Sequence, residues 1–442
     1  MSRLDLLSDL VARARAAGAD AADAVLIEGT SLSVQRRMRR TEHLERSESQ
    51  DLGLRVFVGQ RAAIVSSTTM DPAGFDVLAA RAVAMARIVP GDPMGGLAAE
   101  AAAPQAVDLD MDDATEPDAA ALVARAALAE EAALAVPGVT NSEGAEAGYS
   151  RTQVFLLTSA GFAGSYVRTS HSVSAVALAG EGTGMERDYD FSTATHLAGL
   201  EDAAGLGHAA GERAVARLNP TRPRTARLPV VFDPRVASSL LGHLTAAIDG
   251  AAIVRGTSFL KDRMGQAVFA PGIQVHDDPR RPRGLRSRPF DGEGVPTAAR
   301  AIIQDGVLTT WLLDGRSARQ LGLASTGHAA RGTRGPPSPS PTNLYMAAGP
   351  LPPAELMADI REGLYVSELM GPGVNGITGD YSRGAAGFMI RNGALAEPVA
   401  EITIASTLQE MFLHLTPAND LHLRRGTDAP TVRIEGMTMG GA

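Results

Sequence analysis

The chain of 442 residues is long enough for about two to three domains, each able to bury an apolar core. Hydrophobic residues make up 45% and charged residues 21% of it, as in an ordinary globular protein. The formal net charge of −9 argues against broad binding to a phosphate backbone, so no direct nucleic-acid partner is expected. Because the sequence contains no cysteine, disulfides, thiolate metal sites and cysteine nucleophiles are excluded.

The N-terminal segment does not resemble a signal peptide. Its leucine-rich stretch is interrupted by Asp5, Asp9 and Arg13, whereas a signal peptide has an uncharged core. No later run reaches the roughly 18 uncharged apolar residues that a membrane span requires. We therefore expect a cytoplasmic protein with no membrane partner.

The first region, residues 1–104, is predicted to be an α+β domain. Apolar residues at helical spacing predict a first helix, and the runs 24–28 and 31–37 favour strands. Alternating apolar residues on both sides of Gly59-Gln60 predict a hairpin. A further helix is predicted from Asp71-Pro72 to about Ile88.

Residues 105–117 are rich in alanine, proline and acidic side chains and are interpreted as an inert linker. Residues 118–218 follow as a second region, with a long alanine-rich helix at its start and another helix at its end. Between these helices we predict an antiparallel meander of three strands, at 143–149, 151–158 and 162–178.

The last region, residues 226–442, is predicted to be a β-rich, glycine-rich domain, which makes the whole chain α+β. Asp305-Gly306 and Asn392-Gly393 each stand between apolar runs and predict hairpins. Residues 335–343 contain several prolines, which cannot donate backbone hydrogen bonds, so an extended surface loop is expected there.

One predicted helix, residues 236–249, carries a single histidine. It follows the apolar run 230–232, Asp233-Pro234 supplies a cap and a first-turn proline, and Gly250 is expected to close it. A zinc hydrolase built on such a helix needs two histidines on one face with a glutamate beside them.

The predicted helix lacks that ligand set. His243 stands between Gly242 and Leu244, and Ala247 lies one turn further on. We therefore expect no metal dyad on this helix, and His243 is interpreted as a packed or half-exposed helix residue.

The run His276-Asp277-Asp278 is a second candidate for chemistry. Adjacent carboxylates beside an imidazole could hold a hard cation or act as acid and base. Because Pro279 and three arginines follow at once, a solvated, charge-paired turn is the favoured interpretation.

The most distinctive polar run is GPGVNGITGDYSRGAAGFMIRNG, residues 371–393. Its glycines allow close backbone approach, and several side chains offer hydrogen bonds. The run could line a groove where a peptide docks by strand addition, or it could be a tight bulged crossing between two strands. The candidates for peptide contact are Asn375, Asp380, Tyr381, Ser382 and Arg383.

The chain resembles the TldD/PmbA family over nearly its whole length. Besides residues 371–393, the resemblance rests on DLGLRVFVGQRAAIVSST (51–68), DPMGGLA (92–98), FDGEGVPT (290–297) and DGRSARQLGLASTGHAAR (314–331). TldD-type members carry a His-Glu-x-x-x-His helix and a later cysteine ligand that hold a catalytic metal. Without a second histidine on that helix or any cysteine, this chain resembles the PmbA branch, also called TldE.

The resemblance implies a non-catalytic subunit that pairs with a TldD-type subunit in a heterodimeric zinc metalloprotease acting on unfolded or extended peptides. Zinc is then expected in the partner, and no cofactor in this chain. Two alternatives stay open: a self-sufficient peptidase with an unrecognised site near His276, and a non-enzymatic regulator of the DNA gyrase modulator type. An isolated chain could also form a homodimer through the surface meant for its partner.

Overall fold

The computed structural model describes residues 2–102 and 107–442, and it has an α+β fold. One six-stranded antiparallel sheet, in the order β3-β2-β1-β4-β5-β6, organises the N-terminal half. Its strands come from both of the predicted regions 1–104 and 118–218. In chain order the elements are α1 (Arg3–Ala16), β1 (Ala21–Arg37), β2 (Arg40–Val58), β3 (Arg61–Ser67), α2 (Phe75–Ile88), α3 (Ala119–Leu134), β4 (Val139–Thr158), β5 (Ala163–Ala179), β6 (Glu186–Ala194) and α4 (Ala203–Ala216).

All four helices of this half cover the same face of the sheet. Leu26 packs in the core that includes α1 and α2, and Val34 packs in the core of α3 and α4. Because side chains alternate along a strand, these two residues of β1 lie on one face. Val25 lies on the opposite face and packs with Phe290, so the C-terminal domain covers that side.

The C-terminal domain is organised by a second six-stranded sheet, in the order β16-β15-β14-β7-β19-β17. Strand β16 also pairs with β19, which curls the sheet into a closed ring. A five-stranded sheet, β10-β9-β8-β13-β18, and the short pair β11-β12 complete the domain. The elements are β7 (Ala226–Phe232), α5 (Pro234–Ala247), α6 (Gly250–Arg255), β8 (Val275–Asp277), β9 (Arg300–Gln304), β10 (Val307–Leu308), α7 (Gly315–Leu321), β11 (Ala329–Ala330), β12 (Ser338–Pro339), β13 (Leu344–Met346), α8 (Pro353–Met357), β14 (Glu362–Met370), β15 (Asp380–Arg391), β16 (Ala394–Thr407), α9 (Leu408–Leu413), β17 (Leu415–Pro417), β18 (Thr427–Asp428) and β19 (Val432–Gly440).

All three predicted two-residue hairpin turns are confirmed. Gly59 and Gln60 connect β2 to β3, Asp305 and Gly306 connect β9 to β10, and Asn392 and Gly393 connect β15 to β16. In the last two turns both residues have positive φ, as a type I′ turn requires. Within the described residues, no helix is both long and apolar enough to cross a membrane.

Several predicted elements differ from the structure. The predicted strands 143–149 and 151–158 are one continuous strand, β4, because β1 and β5 pair along both of its edges. The proline-rich run 335–343 is extended, but it is not purely a surface loop, since Ser338 and Pro339 pair with β11 and Thr342 is buried.

The predicted linker is not an inert connector where it is described. Its boundary at residue 104 lies among residues 103–106, outside the described residues. The remainder, from residue 107, forms neither helix nor strand. Its Asp113 carboxylate accepts a 2.7 Å hydrogen bond from the Leu197 amide and lies 3.1 Å from His171 Nε2, so this segment packs against β5 and the turn that follows β6.

Candidate functional site

Helix α5 begins as the sequence predicts and ends earlier. The Asp233 carboxylate accepts a 2.8 Å hydrogen bond from the Arg235 amide, and Pro234 occupies the first turn. The prediction that Gly250 closes the helix is wrong. The helix ends at Ala247, and Gly250 is the first residue of α6, which is capped by Asp249.

The face of α5 that carries His243 is mostly apolar. Leu244 and Ala247 are buried in the core of the C-terminal domain, and Gly242 is exposed. His243 is therefore the one residue of the degenerate motif that brings a polar group. Its Nε2 atom is buried and has no hydrogen-bond partner in the described part of the chain.

The structure places His243 against two residues of the 371–393 run. The ring of Tyr381 meets the imidazole edge-on, with the centroids 5.8 Å apart and the planes at 81°. Burial lowers the pKa of His243, and the positive charge of Arg383 lowers it further. The imidazole is therefore neutral at neutral pH.

The five peptide-contact candidates do not form one surface. Tyr381 and Arg383 are two residues apart on β15, so both lie on the side of the strand that meets α5. Asp380 and Ser382 are exposed. Asn375 lies in the preceding turn, where its side chain accepts a 2.9 Å hydrogen bond from the Ile377 amide.

The backbone of residues 380–383 is paired on both sides. On one side these residues pair with β16. On the other side the Ser382 amide donates to the Gly373 carbonyl at 2.7 Å, and the Asn375 amide donates to the Asp380 carbonyl at 2.9 Å. A peptide therefore finds no free strand edge at this segment, although contact through the side chains stays a prediction.

A zinc ion does not fit the donors around His243. One turn away the helix offers Ala247, which has no ligand atom, and Ser239, whose hydroxyl donates to the Val236 carbonyl at 2.6 Å. The neighbouring Arg383 would repel a divalent cation. Across residues 2–102 and 107–442, no group of three histidine, aspartate or glutamate side chains is arranged to hold a metal ion.

A cleft of about 330 Å³ opens beside this face of α5. It lies between the β5–β6 hairpin of the first sheet and the helix and strands of the C-terminal domain. Its wall is formed by Val176, Arg187, Asp188, Tyr189, Arg217, Arg235, Val236, Ser239, Ser367, Glu368, Leu369 and Arg383.

Four arginines and only two carboxylates line this cleft. The paired arginines and their nearest carboxylates are Arg187 with Glu143 (3.2 Å), Arg217 with Glu368 (2.5 Å) and Arg235 with Asp188 (2.6 Å). The Arg383 side chain has no ion-pair or hydrogen-bond partner among the described residues, and its Nε atom is buried. Two further carboxylates lie within ion-pair distance of the lining arginines, Glu186 at 3.5 Å from Arg217 and Asp233 at 3.1 Å from Arg235. Only the charge of Arg383 is therefore without an ion pair among the described lining residues.

Models of three successive domains of one family match the chain: PmbA/TldA metallopeptidase domain 1 at residues 22–86, the central domain at 112–218 and the C-terminal domain at 225–441. Metalloprotease PmbA of Escherichia coli O157:H7 is 36% identical over 425 residues, which cover 96% of this chain and 92% of that protein. This chain belongs to the PmbA branch of the PmbA/TldD family.

Another PmbA homolog and two solved structures are also similar to this PmbA-branch chain. A Metalloprotease PmbA homolog of Haemophilus influenzae is 34% identical over 98% of this chain and 95% of its own length. A crystal structure of a Bacteroides thetaiotaomicron protein, named for modulation of DNA gyrase, has a TM-score of 0.91 at 26% identity and covers 99% of this chain and 98% of that one. TldE of Thermococcus kodakarensis, at 18% identity and a TM-score of 0.90 over 99% of this chain and 100% of that one, shares the fold.

Sequence reasoning missed most of the cleft of this PmbA-branch chain. Ser367, Ser239 and Arg235 lie in ordinary strand and helix patterns that give no sign of a polar site. Ser367 occupies an irregularity in β14, where the register shifts between Val366 and Glu368, and such bulges redirect side chains. Only the fold brings these residues together.

The second candidate run, His276-Asp277-Asp278, is not a solvated turn. Asp277 is fully buried, and its carboxylate accepts hydrogen bonds from the Thr342 amide (2.6 Å) and contacts His328 Nε2 (3.1 Å). His276 follows the strand alternation and packs near Tyr345. His276 and Asp277 therefore point to opposite faces of β8 and cannot act together on one substrate.

Proposed function

We propose that this chain is the metal-free subunit of a heterodimeric zinc metalloprotease whose other subunit is of the TldD type. The proposal rests on the residues of α5 around His243. The His243 imidazole is the only side chain of the degenerate motif that could bind zinc through nitrogen, and the positively charged Arg383 lies beside it. A zinc site needs several ligands and no adjacent cation. In this proposal the partner subunit supplies the zinc ion and the water that it activates.

The contribution of this chain is the binding and shielding of an extended or unfolded peptide. Its polar cleft lies between two domains, where binding sites are common. Strand β2 also leaves an edge free, since β3 pairs with it only over residues 52–58 and no described strand covers residues 41–51 on that side. A free edge suits the addition of a strand from a peptide or from the partner subunit.

Reconstitution of the pair tests the proposal. Mixing the purified chain with a TldD-type subunit should hydrolyse an unfolded protein such as reduced casein faster than either subunit does alone. Equal hydrolysis by the TldD-type subunit without this chain contradicts the proposal. The control is a TldD-type subunit whose own metal ligands are substituted, because activity in that mixture would assign catalysis to this chain instead.

Metal analysis tests the metal-free part of the proposal separately. The purified chain is expected to contain far less than one zinc per molecule after dialysis against a zinc-containing buffer, measured by mass spectrometry. Stoichiometric, tightly held zinc would overturn the assignment. Light scattering of the same sample shows whether the isolated chain is a monomer or self-associates.

The relative from Bacteroides thetaiotaomicron is named for DNA gyrase modulation, which favours one second candidate, a binding regulator. Such a regulator would bind gyrase stably without a TldD-type subunit and without proteolysis. The net charge of −9 makes contact with the gyrase protein a better fit than contact with its DNA. Co-purification with gyrase in the absence of any TldD-type subunit distinguishes this candidate from the protease subunit.

A further inference from the structure

Polar atoms without partners gather where α5 meets β14 and β15. They are His243 Nε2, Ser367 Oγ, Tyr381 Oη and Arg383 Nε, all buried and without a hydrogen-bond partner among the described residues. Ser367 is 9% exposed and Tyr381 is 1% exposed. Buried polar groups in native proteins are nearly always hydrogen-bonded. The two of these residues that line the cleft, Ser367 and Arg383, therefore point to a ligand that pairs with them.

The unpaired charge of Arg383 specifies the sign of that ligand. Arg383 is the one lining arginine without a carboxylate partner within the described ranges, and the two lining carboxylates, Asp188 and Glu368, already bind other arginines. Burial of an unpaired cation is costly, and an anion removes that cost. The cleft therefore favours a ligand with one negative charge.

The geometry of the donors favours a carboxylate among the anions. A guanidinium presents parallel N–H donors that match the two oxygens of a carboxylate. Ser367 adds a hydroxyl donor from the same wall. A doubly charged phosphate would leave one negative charge without compensation. The volume of about 330 Å³ lies at the small end of ligand cavities, which is enough for the end of a peptide.

We propose that this cleft binds a carboxylate group of a peptide, with the Arg383 guanidinium as its ion-pair partner and the Ser367 hydroxyl as a hydrogen-bond donor. Tyr381 and His243 lie near Arg383 and contact each other, but they do not line the cleft. The assignment of the carboxylate to a peptide rests on the proposed function, whereas the anion site itself does not.

Binding of a small peptide acid to the isolated full chain tests the site. The probe is N-acetyl-alanyl-alanine, compared with its C-terminal amide and with inorganic phosphate in ligand-observed NMR titrations. We expect the free acid to bind at least about tenfold more tightly than the amide, since the amide cannot form the ion pair. Equal affinities for acid and amide would overturn the proposal, and tighter binding of phosphate would overturn the assignment to a carboxylate.

Arg383→Met should lower the affinity for the free acid by about tenfold or more, and Ser367→Ala should lower it several-fold. Arg383→Lys should restore part of the lost affinity, because a lysine keeps the charge but not the paired donors. The matched control is Arg187→Met, since Arg187 lines the same cleft but is exposed and paired with Glu143. This control is expected to change the affinity less than twofold.

Thermal melting shows whether a variant that has lost affinity for the free acid is still folded. Without ligand, Arg383→Met should melt at the same temperature as the wild-type chain or above it, because an unpaired, half-buried charge has been removed. The free acid should raise the melting temperature of the wild-type chain and not that of Arg383→Met. A folded variant that still binds the free acid as well as the wild-type chain contradicts the proposal.

The outcomes separate this site from the proposed function. Acid-selective binding without any stimulation of a TldD-type subunit would preserve the carboxylate site and reject the protease pairing. The opposite outcome is that Arg383→Met stimulates a TldD-type subunit as well as wild type does, while the wild-type chain binds acid and amide equally. That outcome would preserve the protease pairing and reject the carboxylate site.

Discussion

Glu293 is a buried carboxylate whose pKa lies in the neutral range. It lines a second cavity, of about 510 Å³, where Arg55 of the first sheet and Asp314 of the C-terminal domain also lie. Burial raises the pKa of Glu293 to about 7, although Arg55, with 3.7 Å between Nη1 and Oε1, opposes the shift. The Glu293 carboxylate also accepts a 2.7 Å hydrogen bond from the Gly315 amide.

The raised pKa predicts that Glu293 makes the protein less stable as the pH rises. Between the ordinary value of 4.5 and about 7 the folded state binds more protons than the unfolded state, so the free energy of unfolding falls with pH over this window. Glu293→Gln removes this dependence. We expect the stability of the variant relative to wild type to improve by at most about 3 kcal/mol between pH 5 and pH 8.

Urea unfolding at the two pH values measures this difference. Glu181→Gln is the matched control for the change of charge, because Glu181 is exposed. Parallel pH profiles for wild type and Glu293→Gln would show that Glu293 is ionised throughout and refute the prediction.

Elements defined by local signals could be predicted from the sequence, and elements defined by their neighbours could not. The start of α5 follows from Asp233-Pro234, and the turn at Asn392-Gly393 follows from its φ preference, because both signals act within a few residues. Strand β4 continues through a polar stretch because two neighbouring strands pair with it. Likewise, no local signal could place Tyr381 against His243, since that contact depends on the order of strands in the sheet.

Replacing glycine with alanine is expected to change the free energy of unfolding in opposite directions at two helical positions. A β-carbon on Gly207 of α4 would lie 1.8 Å from the Ala129 carbonyl oxygen of α3, whereas a β-carbon on Gly242 of α5 meets no atom within 4 Å. Gly207→Ala should therefore lower the free energy of unfolding by about 1–3 kcal/mol or more through overpacking. Gly242→Ala should raise it by about 0.5–1 kcal/mol, since alanine favours the helix.

Urea unfolding of the two variants under identical conditions checks the pair, and each serves as the control for the other. If Gly207→Ala were neutral, the close approach of α3 and α4 would not limit stability. If Gly242→Ala were destabilising, the exposed side of α5 would be in contact with something beyond the described residues.

At the scale of the whole molecule, a buried ion network joins the first sheet to the C-terminal domain. Asp23 of β1 binds Arg55 of β2 within the sheet and Arg331 of the C-terminal domain, with 2.6 Å between its Oδ1 atom and Arg331 Nη1. The side chains of Asp23 and Arg331 are each 1% exposed. A second pair, Asp51 with Arg334, joins the same two parts at 3.4 Å, but the Arg334 side chain is 75% exposed.

These two contacts between the same domains predict very different consequences for stability. Asp23→Asn leaves Arg331 charged, buried and without its carboxylate, and breaking such a pair costs about 3–5 kcal/mol. Asp51→Asn is the matched control and should cost less than about 1 kcal/mol, because an exposed pair gains little. In calorimetry we expect one main transition for wild type and for Asp51→Asn. For Asp23→Asn we expect a transition that begins at a lower temperature and splits into two.

Peptide binding gives a second measurement of the same contact. The proposed carboxylate-binding cleft has walls from both domains, so acid-selective peptide binding should weaken in Asp23→Asn before the sheets themselves unfold. Equal melting of the two variants would mean that other contacts hold the domains together, such as the apolar contact around Phe290 or the Arg235–Asp188 ion pair.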